Sequence, residues 1–263
     1  MTTATAIIDA YVVSRGYKIH YEVYGVGPPI LLHHGFTRSG EDWKKHGYVD
    51  ALAPNYRVIT IDAIGHGKSD KPHEVSPYAL PSRAADVVAV LDACGVDKVI
   101  YWGYSMGART GFVVCHLFPE RVAAFINGAA GARDPHKEDK SIHDRARAFF
   151  SENPLAEWEG LTQPGGGLND YEQDYYALGA CQLGLLEWRG VDPKTLTMPI
   201  FHQIGDQDRL YEKTMEAAAG TPNAEVHVFP GLNHLTCFQR SDLVLPEVLP
   251  FIAKHASKTA YKS

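Results

Sequence analysis

Three short stretches carry residue types at spacings that could do nucleophilic chemistry. Residues 103–107 read GYSMG and set one serine, Ser105, between Gly103 and Gly107; residues 205–208 read GDQD, and residues 231–234 read GLNH. A serine hydroxyl is a poor nucleophile until a base takes its proton, and an imidazole base needs an acid to fix its tautomer. Ser105, His234 and either Asp206 or Asp208 are therefore the parts of an acyl-transfer site, if the fold brings them together.

Local sequence decides how Ser105 is presented. KVIYWG (98–103) is a short apolar run of the kind a buried strand requires, and residues 106–118 read as a helix that stops before Pro119. Ser105 then sits on a strand-to-helix turn. Glycines at 103 and 107 remove side chains that would clash in so tight a turn, and the helix N-terminus favours developing negative charge. The plainer reading is a serine that only caps the helix.

The chain has 13 histidines, and position selects among them. His234 follows the strand AEVHVF in the loop GLNHLTCF and is the expected base. His202 and His227 lie within strands and His116 and His255 within helices, so they are expected to be structural. His33 and His34 close a strand and are better suited to shaping an anion-binding loop. His66, in GHGKS, reads as a turn residue, and His20, His46, His73, His136 and His143 have no partnered context that competes. Asp206 and Asp208 both follow the strand MPIFHQIG. Asp208 is the expected acid; Asp206 suits a turn or helix cap and stays as the alternative.

These residues need a scaffold, and the periodicities describe one. Strands are expected at 7–14 and 17–24, joined at Arg15-Gly16, then at ILLHHG after Pro28 and Pro29, and at 57–62, 98–103, 122–128, 198–205 and 224–231. Helices are expected at 79–95, where Leu80, Ala84, Val87, Val88 and Leu91 share a face, and at 106–118, 210–219 and 243–256. The fold class is α/β, a mostly parallel central sheet flanked by helices. Residues 132–192 contain no convincing strand. Helical segments SIHDRARAFF and DYEQDYYALGACQLGLLEW, separated by QPGGGLND, predict a small helical cap at the carboxyl edge of the sheet. The chain then divides into core 1–131, cap 132–192 and core 193–263. Aromatic cap residues, among them Phe149, Phe150, Trp158, Tyr171, Tyr175, Tyr176 and Trp188, either line a pocket or pack the cap. Arg145 and Arg147 could meet a substrate carboxylate, although a solvated surface position is the simpler state for each.

Composition bounds the partners. The 263 residues are 45% apolar, with 31 acidic against 25 basic side chains and a net charge of −6, which gives no basic field for a nucleic-acid backbone. The first residues lack the pattern of a signal peptide and no apolar run is long enough to span a membrane, so a cytoplasmic location is expected. Cys94, Cys115, Cys181 and Cys237 are widely spaced and read as free thiols, and no ligand spacing suggests a metal. No cofactor is implied. The expected partner is a small molecule, and nothing separates a monomer from a two-fold dimer.

The order serine, acid, histidine, the elbow and the alternating elements together resemble the α/β-hydrolase superfamily over essentially the whole chain. HHGF, DAIGHGKSD, GYSMG, GDQD and GLNH each match a motif of its capped, esterase- or lactonase-like serine hydrolases. The resemblance implies Asp208, third after Gly205, as the acid. It also implies an oxyanion hole made by the backbone N–H groups of Met106 and Phe36, whose side chains would wall the pocket with Phe149, Trp158, Tyr175 and Trp188. Asn233 stands where the family commonly has glycine, which bears on how the histidine loop is held. The implied reaction is hydrolysis of a carboxylic ester or lactone of a small, moderately hydrophobic substrate through an acyl-enzyme. Alternatives are hydrolysis of a carbon–carbon bond in a diketone, amide, thioester or perhydrolase chemistry, and a catalytically silent binding protein. Serine in place of aspartate argues against dehalogenase or epoxide hydrolase chemistry, since an alkyl-enzyme ester needs a carboxylate nucleophile.

Overall fold

Arg15 and Gly16 both take positive φ, 51° and 90°, the pair of dihedrals that lets a two-residue turn follow the twist of its strands. They join β1 (Ile8–Ser14) to β2 (Tyr17–Tyr24) in an antiparallel hairpin. The computed structural model describes residues 6–132, 140–161, 173–188 and 190–262. QPGGGLND, Tyr171 and His136 lie outside the described residues.

The other main strands are β3 (Pro29–His33), β4 (Arg57–Ile61), β5 (Val96–Tyr104), β6 (Val122–Gly128), β7 (Ile200–Gly205) and β8 (Glu225–Phe229). The sheet runs β1-β2-β4-β3-β5-β6-β7-β8, antiparallel as far as the β2–β4 pair and parallel from there on. Side chains alternate between its faces. Leu31, Val99, Tyr101 and Phe125 belong to one apolar cluster, while Ile30, Leu32, Ile100, Trp102 and Ile126 belong to the other. The first cluster takes in α3 (Leu80–Ala93) and α4 (Met106–Leu117), and the second takes in the short helices α1 (Gly40–Lys45) and α2 (Tyr48–Leu52). A two-residue strand, β9 (Ala260–Tyr261), pairs antiparallel with the start of β5.

Between β6 and β7 the chain forms a helical cap region of α5 (Lys140–Phe149), α6 (Pro154–Leu161) and α7 (Tyr175–Leu183). Each cap helix gives one residue to a small cluster, Phe149, Trp158 and Leu178, against which Phe36 from the loop after β3 packs. That contact seats the cap on the loop beside the serine. The core closes with α8 (Tyr211–Gly220), α9 (His234–Gln239) and α10 (Ser241–His255). Two expectations change here. Residues 231–238 are not all loop, because His234 is the first residue of α9, and α1, α2 and α6 are helices that the sequence reading left unassigned.

Candidate active site

Ser105 joins β5 to α4 with φ 53° and ψ −110°, a backbone conformation that a non-glycine residue holds only when its surroundings impose it. Its N–H donates to Gly128 O of β6 at 2.6 Å. The flanking glycines are steric necessities. A Cβ on Gly107 would lie 2.2 Å from His33 O, and one on Gly103 would lie 2.5 Å from Ala108 N. β5, β3 and α4 can therefore close around the serine only with glycine at both positions.

His234 Nε2 lies 2.8 Å from Ser105 Oγ, and His234 Nδ1 lies 2.7 Å from Asp208 Oδ2. With the carboxylate accepting from Nδ1–H, Nε2 is left bare to accept the serine proton. Asp208 is held in turn: its Oδ1 accepts from Leu210 N–H at 2.8 Å, and its side chain is fully buried. Asp206 is not part of this hydrogen-bonded series. Its Oδ1 accepts from Gly231 N–H at 2.8 Å and so ties the loop after β7 to the loop after β8.

Two residues position the base: Asn233, whose departure from glycine bears on the histidine loop, and Tyr104, which the sequence reading left without a role. Asn233 caps α9: its Oδ1 accepts from the N–H groups of Leu235 and Thr236 at 3.0 and 2.9 Å, and Thr236 Oγ1 accepts from Asn233 N–H. Asparagine in place of glycine thus starts a helix at His234 and fixes the ring's origin. Tyr104 donates its hydroxyl to His234 O at 2.6 Å and lays its ring 5.4 Å from the imidazole.

Phe36 and Met106 line the same cavity as Ser105. Among the described residues the Phe36 N–H makes no backbone hydrogen bond, and Met106 is the first residue of α4, where the N–H has no partner within the helix. Behind this loop lie three buried histidines. His34 Nε2 accepts from Ala63 N–H at 3.0 Å, so its Nδ1 carries the proton donated to Gly35 O. Tyr101 donates to Gly107 O at 2.8 Å, so His33 Nδ1 donates to the tyrosine oxygen. His66 lies on the turn expected for it, with its N–H on Ala63 O and its carbonyl accepting from Ser69 N–H, and its ring is buried against those of His34 and Phe36.

Burial holds His33 and His66 well below the ordinary histidine range, lowers His34, and brings His202 to about 4. Burial favours their neutral form in the folded chain, while the unfolded chain protonates them near pH 6.5. Their depressed values make stability fall as pH drops below about 6.5, by up to about 1.4 kcal/mol per pH unit for each. Urea midpoints measured from pH 7 to pH 5 should show this loss, and His66→Gln should flatten the slope. An unchanged slope in that variant would remove His66 from the account.

His20 departs from its expected isolation. Its Nδ1 meets Asp62 and its Nε2 meets Asp9, both at 2.8 Å, and although burial opposes the charge, these carboxylates raise its pKa. Asp9, His20 and Glu22 also bring ligand-type atoms within 4.8 Å of one another, a grouping that sequence spacing did not reveal. Lys68 Nζ already bonds Asp9 at 3.0 Å and Glu22 at 3.3 Å, so an ammonium supplies the positive charge there. His73, likewise, pairs with Asp174 at 3.0 Å.

Ser105 and His234 open into a cavity of about 340 Å³ whose walls include Phe36, Met106 and Trp158. Phe149 and Tyr175 instead line a neighbouring cavity of about 850 Å³, which contains His20 and Asp62 but not Ser105. The chemistry resides in the smaller one, where nucleophile and base meet. Trp188 faces neither and packs against His116. Arg145 lines the smaller cavity, while Arg147 is exposed beside Asp144 at 3.6 Å.

Among curated proteins, the chain is 25% identical to a non-heme haloperoxidase of Rhodococcus erythropolis, over 91% of this chain and 97% of that one. Among solved structures, an esterase from Thermogutta terrifontis superposes with a TM-score of 0.80 at 22% identity, covering 94% of this chain and 99% of that one. The enol-lactonase of Burkholderia xenovorans superposes with a TM-score of 0.78 at 20% identity, covering 92% and 99%. At these identities the superpositions establish the fold. The sequence profile of the family described as alpha/beta hydrolase fold matches residues 28–167, more than half of the chain and inclusive of the serine elbow. With Ser105, His234 and Asp208 hydrogen-bonded in series at the end of that fold, the chain belongs to the alpha/beta hydrolase family.

Proposed function

We propose that the protein hydrolyses a carboxylic ester or lactone of a small molecule through an acyl-enzyme. The observation that carries this reading is the series Asp208–His234–Ser105, with contacts of 2.7 and 2.8 Å, opening into a cavity of a size suited to a small ligand. His234 takes the Ser105 proton as Oγ attacks the acyl carbon, and Asp208 stabilises the imidazolium that forms. The N–H groups of Phe36 and Met106 receive the oxyanion; losing one such donor costs about 3 kcal/mol in typical hydrolases. His234 then gives its proton to the leaving oxygen, and water, deprotonated by the same imidazole, releases the acid.

The likeness to a solved esterase and a solved enol-lactonase favours ester and lactone bonds among the bonds this site could cleave. Residues 132–192 serve as the cap, between the core segments 1–131 and 193–263, and Phe36, Met106 and Trp158 form the substrate wall. Four buried free cysteines fit work in the cytoplasm. Among the described residues no helix is long and apolar enough to cross a membrane.

The test is labelling by an active-site fluorophosphonate, with peptide mapping, followed by a panel of esters, lactones and diketones. Label on Ser105 with turnover of esters or lactones is the expected result. Label on Ser105 with turnover of diketones alone would transfer the reading to carbon–carbon hydrolysis.

A further inference from the structure

The cavity beside Ser105 is cationic although the chain as a whole is acidic. Arg38, Arg83, Arg109, Arg145, Arg209 and Lys213 line it, and none of its described lining residues is an aspartate or glutamate. Arg83 is the informative one. It belongs to α3 and is only 2% exposed. Its Nε donates to Tyr78 O at 2.7 Å and its Nη2 to Cys181 O at 2.8 Å, both neutral carbonyls, while its Nη1 has no hydrogen-bond partner among the described residues. Asp86, one turn further along α3, acts on Arg83 through its charge, but no carboxylate hydrogen-bonds the guanidinium, and a buried guanidinium with one nitrogen unsatisfied is costly to keep. That cost is offset if a ligand supplies the acceptor and the negative charge.

The position fits an acyl chain. Met106 follows the nucleophile directly; its Sδ lies 3.9 Å from Cys181 Sγ, and Cys181 Sγ lies 3.2 Å from Arg83 Nη2. Ser105, Met106, Cys181 and Arg83 all line the cavity, the last three linked by these contacts. Resting on the hydrolase reading above, we propose that the substrate is itself a carboxylate, an ester or lactone whose acyl portion carries a free carboxylate that Arg83 receives. Lys213 on the cavity wall adds to the positive field, while Arg38 already has Asp42 at 3.8 Å. A planar guanidinium matches a planar carboxylate, and charge-assisted hydrogen bonds of this kind are about twice as strong as neutral ones.

Binding tests this independently of turnover. In the Ser105→Ala protein, calorimetry should show monomethyl adipate, an anion at neutral pH, binding at least about tenfold more tightly than dimethyl adipate. Adding Arg83→Gln should remove most of that preference, and Arg83→Lys should restore part of it. In the otherwise unmodified enzyme, the ratio of kcat/KM for mono-4-nitrophenyl adipate to that for 4-nitrophenyl hexanoate should fall about tenfold or more on Arg83→Gln. If that buried substitution prevents folding, Lys213→Glu at the cavity is the substitute and should lower the same ratio. Equal binding of the two adipates, or a ratio unmoved by the variant that folds, would overturn the proposal and leave Arg83 Nη1 to a buried water. Absence of ester turnover with the binding preference intact would instead count against hydrolysis and not against the anion site.

Discussion

Ser105→Ala should lower kcat on a good ester by a factor on the order of 10³ or more while the protein melts within a few degrees of the parent. The loss is large because the base is aimed at this hydroxyl: His234 Nε2 points at Ser105 Oγ, and the cysteines among the described residues are all buried, with thiols that burial makes hard to ionise. The fold should survive because the elbow is held by backbone contacts, the Ser105 N–H on Gly128 O and the Arg109 N–H on Ser105 O, neither of which uses the hydroxyl. Residual turnover would come from the oxyanion donors and binding alone. Steady-state kinetics beside a thermal melt make the measurement. Parent-like turnover by a folded alanine variant would end the nucleophile assignment, and the ester reading with it.

What was legible in the sequence is what neighbouring residues determine. The Arg15-Gly16 turn, the strand-to-helix elbow and the alternation of strands and helices follow from local patterns, and each is present. The helices α1 and α2 are six and five residues long, too short to show a helical period, and they form because Trp43, Tyr48, Val49 and Leu52 bury themselves against the sheet. The partners of His20 come from β1 and from the residue after β4, a pairing that strand order creates. Cap aromatics divide between two cavities and a packing role according to how the cap helices dock, so spacing alone could not separate Trp158 from Tyr175 or Trp188. Two signals were present and unused. Asn233 and Thr236 have the spacing of a capping box, and Arg83 stands three residues after Leu80 on the apolar face of α3, where a charge is out of place.

Asp208→Asn should lower kcat by a factor on the order of 10³ to 10⁴, and Asp206→Asn by less than about tenfold. The two carboxylates are two residues apart and differ in what they hold. At 208 an asparagine can still accept from Leu210 N–H through its oxygen, which turns its NH₂ toward His234 Nδ1. Nδ1 must then be the acceptor, and the ring proton moves to Nε2, where it faces Ser105 Oγ and cannot take the serine proton. The charge that stabilises the imidazolium is lost as well. At 206 the side chain accepts a hydrogen bond from Gly231 N–H, a bond that the asparagine oxygen can also accept, so the loop carrying His234 keeps its anchor. Both variants should fold, because each preserves size and the main backbone contact. Kinetics of the pair with one ester, at a pH where the parent is fully active, decide the assignment: a larger loss at 206 than at 208 would hand the acid's role to Asp206 and require the His234 ring to turn away from the partner it has in this structure.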